Sequence, residues 1–212
     1  MSDFEEIALK YIQKQINVTF DEYSVKYDVD DAPKSAIVNY FSWLYRWIPE
    51  RPRTVIISQH LTDKIESGNL NEGTKELIQD FKEKFEKGES MNEHLSKFAH
   101  RTDRDDYLRY CWKIYHLHLA EGSARSGEQL LAAIDKDEVL FIDVIPHPAR
   151  GQSQEYFNLD YLRVVRDSGW FPKVGIGGTS NIRPENLNWI PETDEDFYNL
   201  YKSHVNMQFV ID

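Results

Sequence analysis

The stretch WKIYHLHLAEG, from Trp112 to Gly122, sets His116 and His118 one residue apart inside an apolar run. Imidazole can both give and take a proton near neutral pH, and it is also a common metal ligand. Side chains alternate faces along a strand. Ile114, His116 and His118 therefore share one face of CWKIYHLHLA, and Tyr115, Leu117 and Leu119 share the other. VLFIDVIPH alternates in the same way: Val139, Phe141, Asp143, Ile145 and His147 form one set, and Leu140, Ile142 and Val144 the other. With the all-aliphatic sets turned to a core, His116, His118, Asp143 and His147 gather on the opposite, open face of one small sheet.

Three chemistries fit such a face. A His-x-His pair presents two imidazoles to one metal ion, and His147 or Glu121 could complete the set. Alternatively, the histidines move protons in the cleavage of RNA by its own 2′-hydroxyl. That reaction needs a base, an acid and a cation to hold the charge developing on phosphorus. Arg125, Arg150 or Arg104 could be the cation. In the third reading the histidines are ordinary polar residues on a half-exposed sheet. Asp143, central in its strand, is expected to orient a histidine or pair with an arginine, because an ionised carboxylate buried alone is expensive.

The elements that would hold this face follow from periodicity and punctuation. Ser2 and Glu5 make a capping box for an amphipathic helix over residues 3–16. VTFDEYSVKYDV reads as extended. KSAIVNYFSWLYRWIPERP reads as a second helix ending before Pro49, apolar around nearly its whole circumference and so buried or in an interface. RPRTVIIS is a short β-branched strand, and QHLTDKIESG a short helix stopped by Gly68. Thr74 offers an N-cap to KELIQDFKEKFEKG, which Gly88 stops. Residues 90–110 are helical in pieces. From Trp112 the period becomes two, and EQLLAAID, the turn KDE and VLFIDVIPH form a β-hairpin beside the histidine strand. NLDYLRVVRDSGW and TDEDFYNLYKSHV read as helices, and the glycines at 175, 177 and 178 as a loop, without the ending of a phosphate-binding loop.

The 212 residues carry a formal charge of −11, 41% apolar residues and 28 aromatics (5 Trp, 12 Tyr, 11 Phe), a composition for burying a core. No apolar run approaches the roughly 20 residues that span a bilayer, and the acidic N-terminus is not a signal peptide. The single cysteine, Cys111, forms no internal disulfide. The expected setting is therefore cytoplasmic, with no membrane partner. The acidic charge weighs against a broad nucleic-acid footprint while leaving room for a local basic cleft or a basic protein partner.

From about Arg51 to Arg150 the order is strand, two helices and three antiparallel strands. CWKIYHLHL, a segment carrying Arg125, QLLAAID, an acidic turn and VLFIDVIPH follow one another. This order resembles the RelE/ParE-type toxin fold, in which two helices pack on a small twisted antiparallel sheet. The likeness covers a little under half of the chain. It implies messenger-RNA cleavage or gyrase inhibition held in check by an antitoxin, with Arg125 and His147 facing the cleft, joined by His116 and His118. The chain is larger and more acidic than such toxins, and residues 1–50 and 151–212 have no place in them.

The expectation is an α+β protein: a RelE-like unit over 51–150, a helical N-terminal extension over 1–50 and a C-terminal loop and helix segment over 151–212 packed on the core. Its expected activity is that of a metal-independent, cofactor-free ribonuclease-like toxin or defence protein. His116, His118, His147 and Arg125 are its catalytic set, and Arg104 and Arg150 bind RNA. A non-enzymatic interaction module of a toxin–antitoxin or phage-related system is the alternative, and a histidine-based metalloprotein the second.

Overall fold

The computed structural model describes residues 3–27, 33–44, 46–101, 108–109, 113–119, 127–148, 156, 158–170 and 193–195. The chain divides into two units, Met1–Pro49 with Leu95–Asp105, and Glu50–His94 with Asp106–Asp212.

In the first unit, α1 (Asp3–Glu22) and α2 (Pro33–Leu44) pack through an aromatic core. Helix α1 runs six residues beyond the expected end, so the stretch after Ile16 that read as extended is helical through Glu22. The physical reason is the spacing of Ile16 and Phe20. As i and i+4 they lie on one helical face, and both are buried with Val25 and Trp43. The Phe20 ring meets Trp43 edge-on at 5.5 Å. The backbone N–H of Lys26 donates to the His100 carbonyl at 2.8 Å, and the Arg46 guanidinium donates to the Arg101 carbonyl. Phe4, Ile7, Tyr11 and Val18, at i, i+3, i+7 and i+14, share another face of α1 and are 56% to 79% exposed.

The second unit is a four-stranded mixed sheet with helices. Its strands are β1 (Thr54–Ile57), β2 (Ile114–His118), β3 (Glu128–Ile134) and β4 (Glu138–Pro146), in spatial order β1-β4-β3-β2. The β3–β4 hairpin and β2 form the expected antiparallel trio, and β1 joins β4 in parallel. Between β1 and β2 the chain makes α3 (Gln59–Glu66), α4 (Glu72–Lys87) and a 3-10 turn, Asn92–His94; a second 3-10 turn, Lys97–His100, belongs to the first unit. Helix α4 begins three residues before the sequence placed it. Asn71 is the N-cap, its Oδ1 accepting from the N–H of Thr74 at 2.9 Å. Thr74 is instead buried inside the first turn, with its hydroxyl donating to Glu128 of β3. Gly88 closes α4 at φ 77°, and a Cβ there would lie 2.5 Å from the backbone nitrogen of Pro52.

Both faces of the sheet are covered. On one, Phe141 of β4 meets Phe85 of α4 at 5.9 Å. On the other, Ile114, Leu131, Ala133, Leu140, Ile142 and Ile145 pack with Leu159, Leu162, Val165 of α5 (Leu159–Asp167) and Trp170.

The alternation read from VLFIDVIPH is broken at one place. Leu131 pairs with Asp143 but Ala132 pairs with Phe141, so Ile142 is an extra residue in β4, a β-bulge. Ahead of the bulge the faces are the reverse of the expected ones. Leu140, opposite Ala133, lies on the side of Ile114 and His116. Phe141, opposite Ala132, lies on the side of Tyr115. The bulge is secured from α3. Ser58 Oγ donates to the Ile142 carbonyl at 2.8 Å and accepts from the N–H of Leu61, while its own N–H donates to the Phe141 carbonyl at 3.0 Å. One buried hydroxyl thus caps a helix and satisfies the kinked strand. Replacement Ser58→Ala removes both bonds and should lower stability by about 2–3 kcal/mol. Asn71→Ala, which removes a cap alone, should lower it by about 1 kcal/mol. Urea unfolding of the two variants measures the difference, and equal losses would contradict the second role of Ser58.

Candidate functional site

Because alternation puts residues i and i+2 on one face, His116 and His118 stand together on β2. The cross-strand rows are His118 with Gln129 and Ile145, and His116 with Leu131 and Asp143. The next residue of that face beyond Ile145 is His147. Its N–H donates to the Gly127 carbonyl at 2.8 Å, continuing the β3–β4 pairing past the end of the strand. The His118 and His147 rings are 5.3 Å apart, tilted by 31°. The structure thus brings His116, His118 and His147 to one end of one sheet face, all three half-buried.

This face is not the open one the aliphatic sets suggested. It carries the core that α5 covers, because Leu140 and Ile142 lie on the histidine side. The histidines stand at the β2 margin of that packed layer. Asp143 is also not a partner of the histidine group. Its carboxylate accepts from Lys64 Nζ at 2.9 Å and from its neighbour's N–H at 2.8 Å, and lies 3.4 Å from His60 Nε2. The cation is thus a lysine of α3 and not the expected arginine.

The surroundings of His118 are specific. Its carbonyl accepts from His94 Nδ1 at 2.9 Å. Lys84 Nζ, always a donor, approaches His94 Nε2 at 3.4 Å. The His94 proton is therefore on Nδ1, and the buried ring also packs on Phe81 with centroids 4.4 Å apart. Against the His118 ring lies the side-chain amide of Gln129, with Nε2 at 3.2 and 3.5 Å from the two ring nitrogens. Near-equal distances place that amide over the ring. Gln129 Oε1 accepts from Tyr156 Oη at 2.6 Å, and the Tyr156 ring stacks on His116 at 4.8 Å. For His147, Nδ1 is 2.7 Å from the Pro148 carbonyl. A carbonyl only accepts, so Nδ1 carries the proton and Nε2 is the basic nitrogen of the neutral ring.

Arg104, Arg125, Arg150, Glu121 and Cys111 lie outside the described residues, as do the glycine loop and most of the last predicted helix. Among the described residues no three His, Cys, Asp or Glu side chains gather in a metal-holding arrangement, and no helix is long and apolar enough to cross a membrane.

Comparison with protein-family models, curated proteins and solved structures found no match. The chemistry therefore rests on the side chains themselves.

Sequence reasoning missed Gln129, Tyr156 and His94. Gln129 had a signal, as a polar residue directly before the apolar run LLAAI. Tyr156 and His94 had none, because each reaches the site through tertiary packing. The weight of His94 is measurable. Truncation His94→Ala removes a buried ring and its bond to the His118 carbonyl, and should destabilise by about 2–4 kcal/mol. His60→Ala, whose side chain is 51% exposed beside Asp143, should stay within about 0.5 kcal/mol. Urea midpoints of the two variants compare them directly.

Proposed function

We propose that the chain is a ribonuclease-like protein of the toxin or defence type, cutting RNA by attack of the 2′-hydroxyl on the adjacent phosphorus without a metal. The observation that carries this reading is the His118–His147 pair at the end of the sheet. Two imidazoles at that separation can serve the two ends of one displacement. The 2′-hydroxyl loses its proton to the basic Nε2 of His147 as the 2′-oxygen bonds to phosphorus. The 5′-oxygen leaves and takes a proton from charged His118. The products are a 2′,3′-cyclic phosphate and a 5′-hydroxyl, with protons balanced between the two rings. Arg125, two residues before Gly127 in sequence, is the cation assigned to the phosphorane charge, and Arg104 and Arg150 are assigned to the RNA backbone. His116, stacked on Tyr156, completes the histidine face. The order of β1, α3, α4 and the antiparallel trio supports a RelE-like reading of the second unit, with an antitoxin as the implied partner.

A second reading, a protein-interaction module, is favoured by the exposed face of Phe4, Ile7, Tyr11 and Val18 on α1. Exposed large apolar side chains gathered on one helix face mark association sites.

The discriminating experiment is incubation of purified protein with RNA in the presence of a chelator, reading out cyclic-phosphate ends. Under the nuclease reading, cleavage survives chelation and has a bell-shaped pH dependence. His118→Ala and His147→Ala each lower it by about 10²–10⁴-fold. Cleavage that needs added metal, or that persists in His147→Ala, overturns the mechanism. Absence of cleavage by the wild type leaves the interaction module.

A further inference from the structure

Gln129 is fully buried in a strand whose neighbours are Leu130, Leu131, Ala132 and Ala133. An amide in such surroundings is costly unless its hydrogen-bonding groups are met, and a leucine would fill the position at no such cost. Two contacts meet this amide. Tyr156 Oη donates to Oε1 at 2.6 Å, and Nε2 lies over the His118 ring. With the tyrosine hydroxyl on Oε1, the amide is held with its N–H₂ end toward the imidazole. Tyr156 is in turn stacked on His116, so one tyrosine touches one histidine and reaches the other through the glutamine. Cross-strand register supplies the rest, since Gln129 is directly opposite His118.

From this we infer that Gln129 and Tyr156 are positioning residues, a buried relay that fixes the His118 ring against His147 and sets how readily it charges. The inference rests on the proposed role of His118 but is tested without RNA. The positive end of an amide over an imidazole disfavours the imidazolium, which makes charged His118 the readier to give its proton to the leaving oxygen. Among the described residues, the titratable and charged groups near His118 include His147 beyond the end of β4, Tyr156 through the glutamine, and His94 at the backbone carbonyl with Lys84 behind it.

The test is a proton titration of the histidine ring signals by NMR in full-length wild type, Gln129→Glu, Gln129→Leu and Tyr156→Phe. Gln129→Glu is isosteric and puts a carboxylate where the amide was, so the His118 midpoint should rise by about one pH unit or more. Gln129→Leu removes the amide dipole and should raise it less. Tyr156→Phe, which keeps the stacking ring on His116, should move His118 in the same direction as Gln129→Leu and leave the His116 signals near their wild-type positions. His60, held by Asp143 on α3, is the internal control and should not move in any variant. A His118 midpoint unchanged in Gln129→Glu, or a uniform displacement of all histidines, overturns the relay.

The matching kinetic readout is cleavage. Gln129→Leu should lower kcat by about 10–100-fold with KM little changed, and Gln129→Glu should displace the His118 limb of the pH profile upward. If His118 titrates as expected but wild-type protein cleaves no RNA, the relay stands and the nuclease reading fails. If RNA is cleaved but His118 does not respond to Gln129→Glu, the reverse holds.

Discussion

The extra residue in β4 governs the second unit. A strand's faces alternate strictly, so inserting Ile142 reverses every side chain on one side of it relative to the other. Up to Ile142, β4 sends Leu140 and Ile142 under α5 and sends Phe141 toward α4. After it, Ile145 still faces α5, and His147 arrives on the side of His118. In an unbulged continuation of the Leu140–Ile142 register, Ile145 and His147 would point to the opposite face. The bulge is therefore what lets Leu140 and Ile142 share with His147 the face that carries His118.

A bulge leaves ladder groups without cross-strand partners, and unmet buried backbone groups are expensive. Here α3 supplies the compensation from one side of the chain. Ser58 takes the Ile142 carbonyl, and Lys64 joins the Asp143 carboxylate to the Val144 carbonyl at 2.6 Å. The ammonium also balances the charge of a carboxylate that is largely out of water. Helix α3 is thus tied to the bulge by its N-cap and by a lysine nearly two turns further on, and β1, which precedes it, pairs in parallel with β4. At the other end of the sheet, polar side chains take over from apolar packing. His94 bonds the His118 carbonyl, Gln129 Nε2 lies on the His118 ring, and Tyr156 stacks on His116 and bonds Gln129.

Much of this was legible before any coordinates. The α+β class, the strand at 54–57, the helices on either side of Gly68, the stop at Gly88 and the three antiparallel strands all follow from periods of 3.6 and 2 with glycine and proline punctuation. Misreadings came where two signals compete. Val18, Phe20, Tyr23 and Val25 alternate well enough to suggest a strand, but the pairing of Ile16 and Phe20 with Trp43 makes a helix the better burial through Glu22. Thr74 and Asn71 are both good caps, and the choice fell to Asn71 because the Thr74 hydroxyl is engaged by Glu128 of β3.

Sequence alone determined that His116 and His118 share a face, because alternation within one strand is a local property of the extended backbone. It also determined that a hairpin would bring the end of VLFIDVIPH near them. That Leu140 and Ile142 would share the histidine face was a tertiary decision. It depends on a bulge stabilised by a serine and a lysine some eighty residues earlier in the chain. The same holds for the partners of Asp143 and for the cover over the histidine side. Single pair contacts between separate elements leave no periodic trace, since each needs only one polar atom at one end of a hydrogen bond. The relay from Tyr156 through Gln129 to His118 is of this kind, and only the folded chain assembles it.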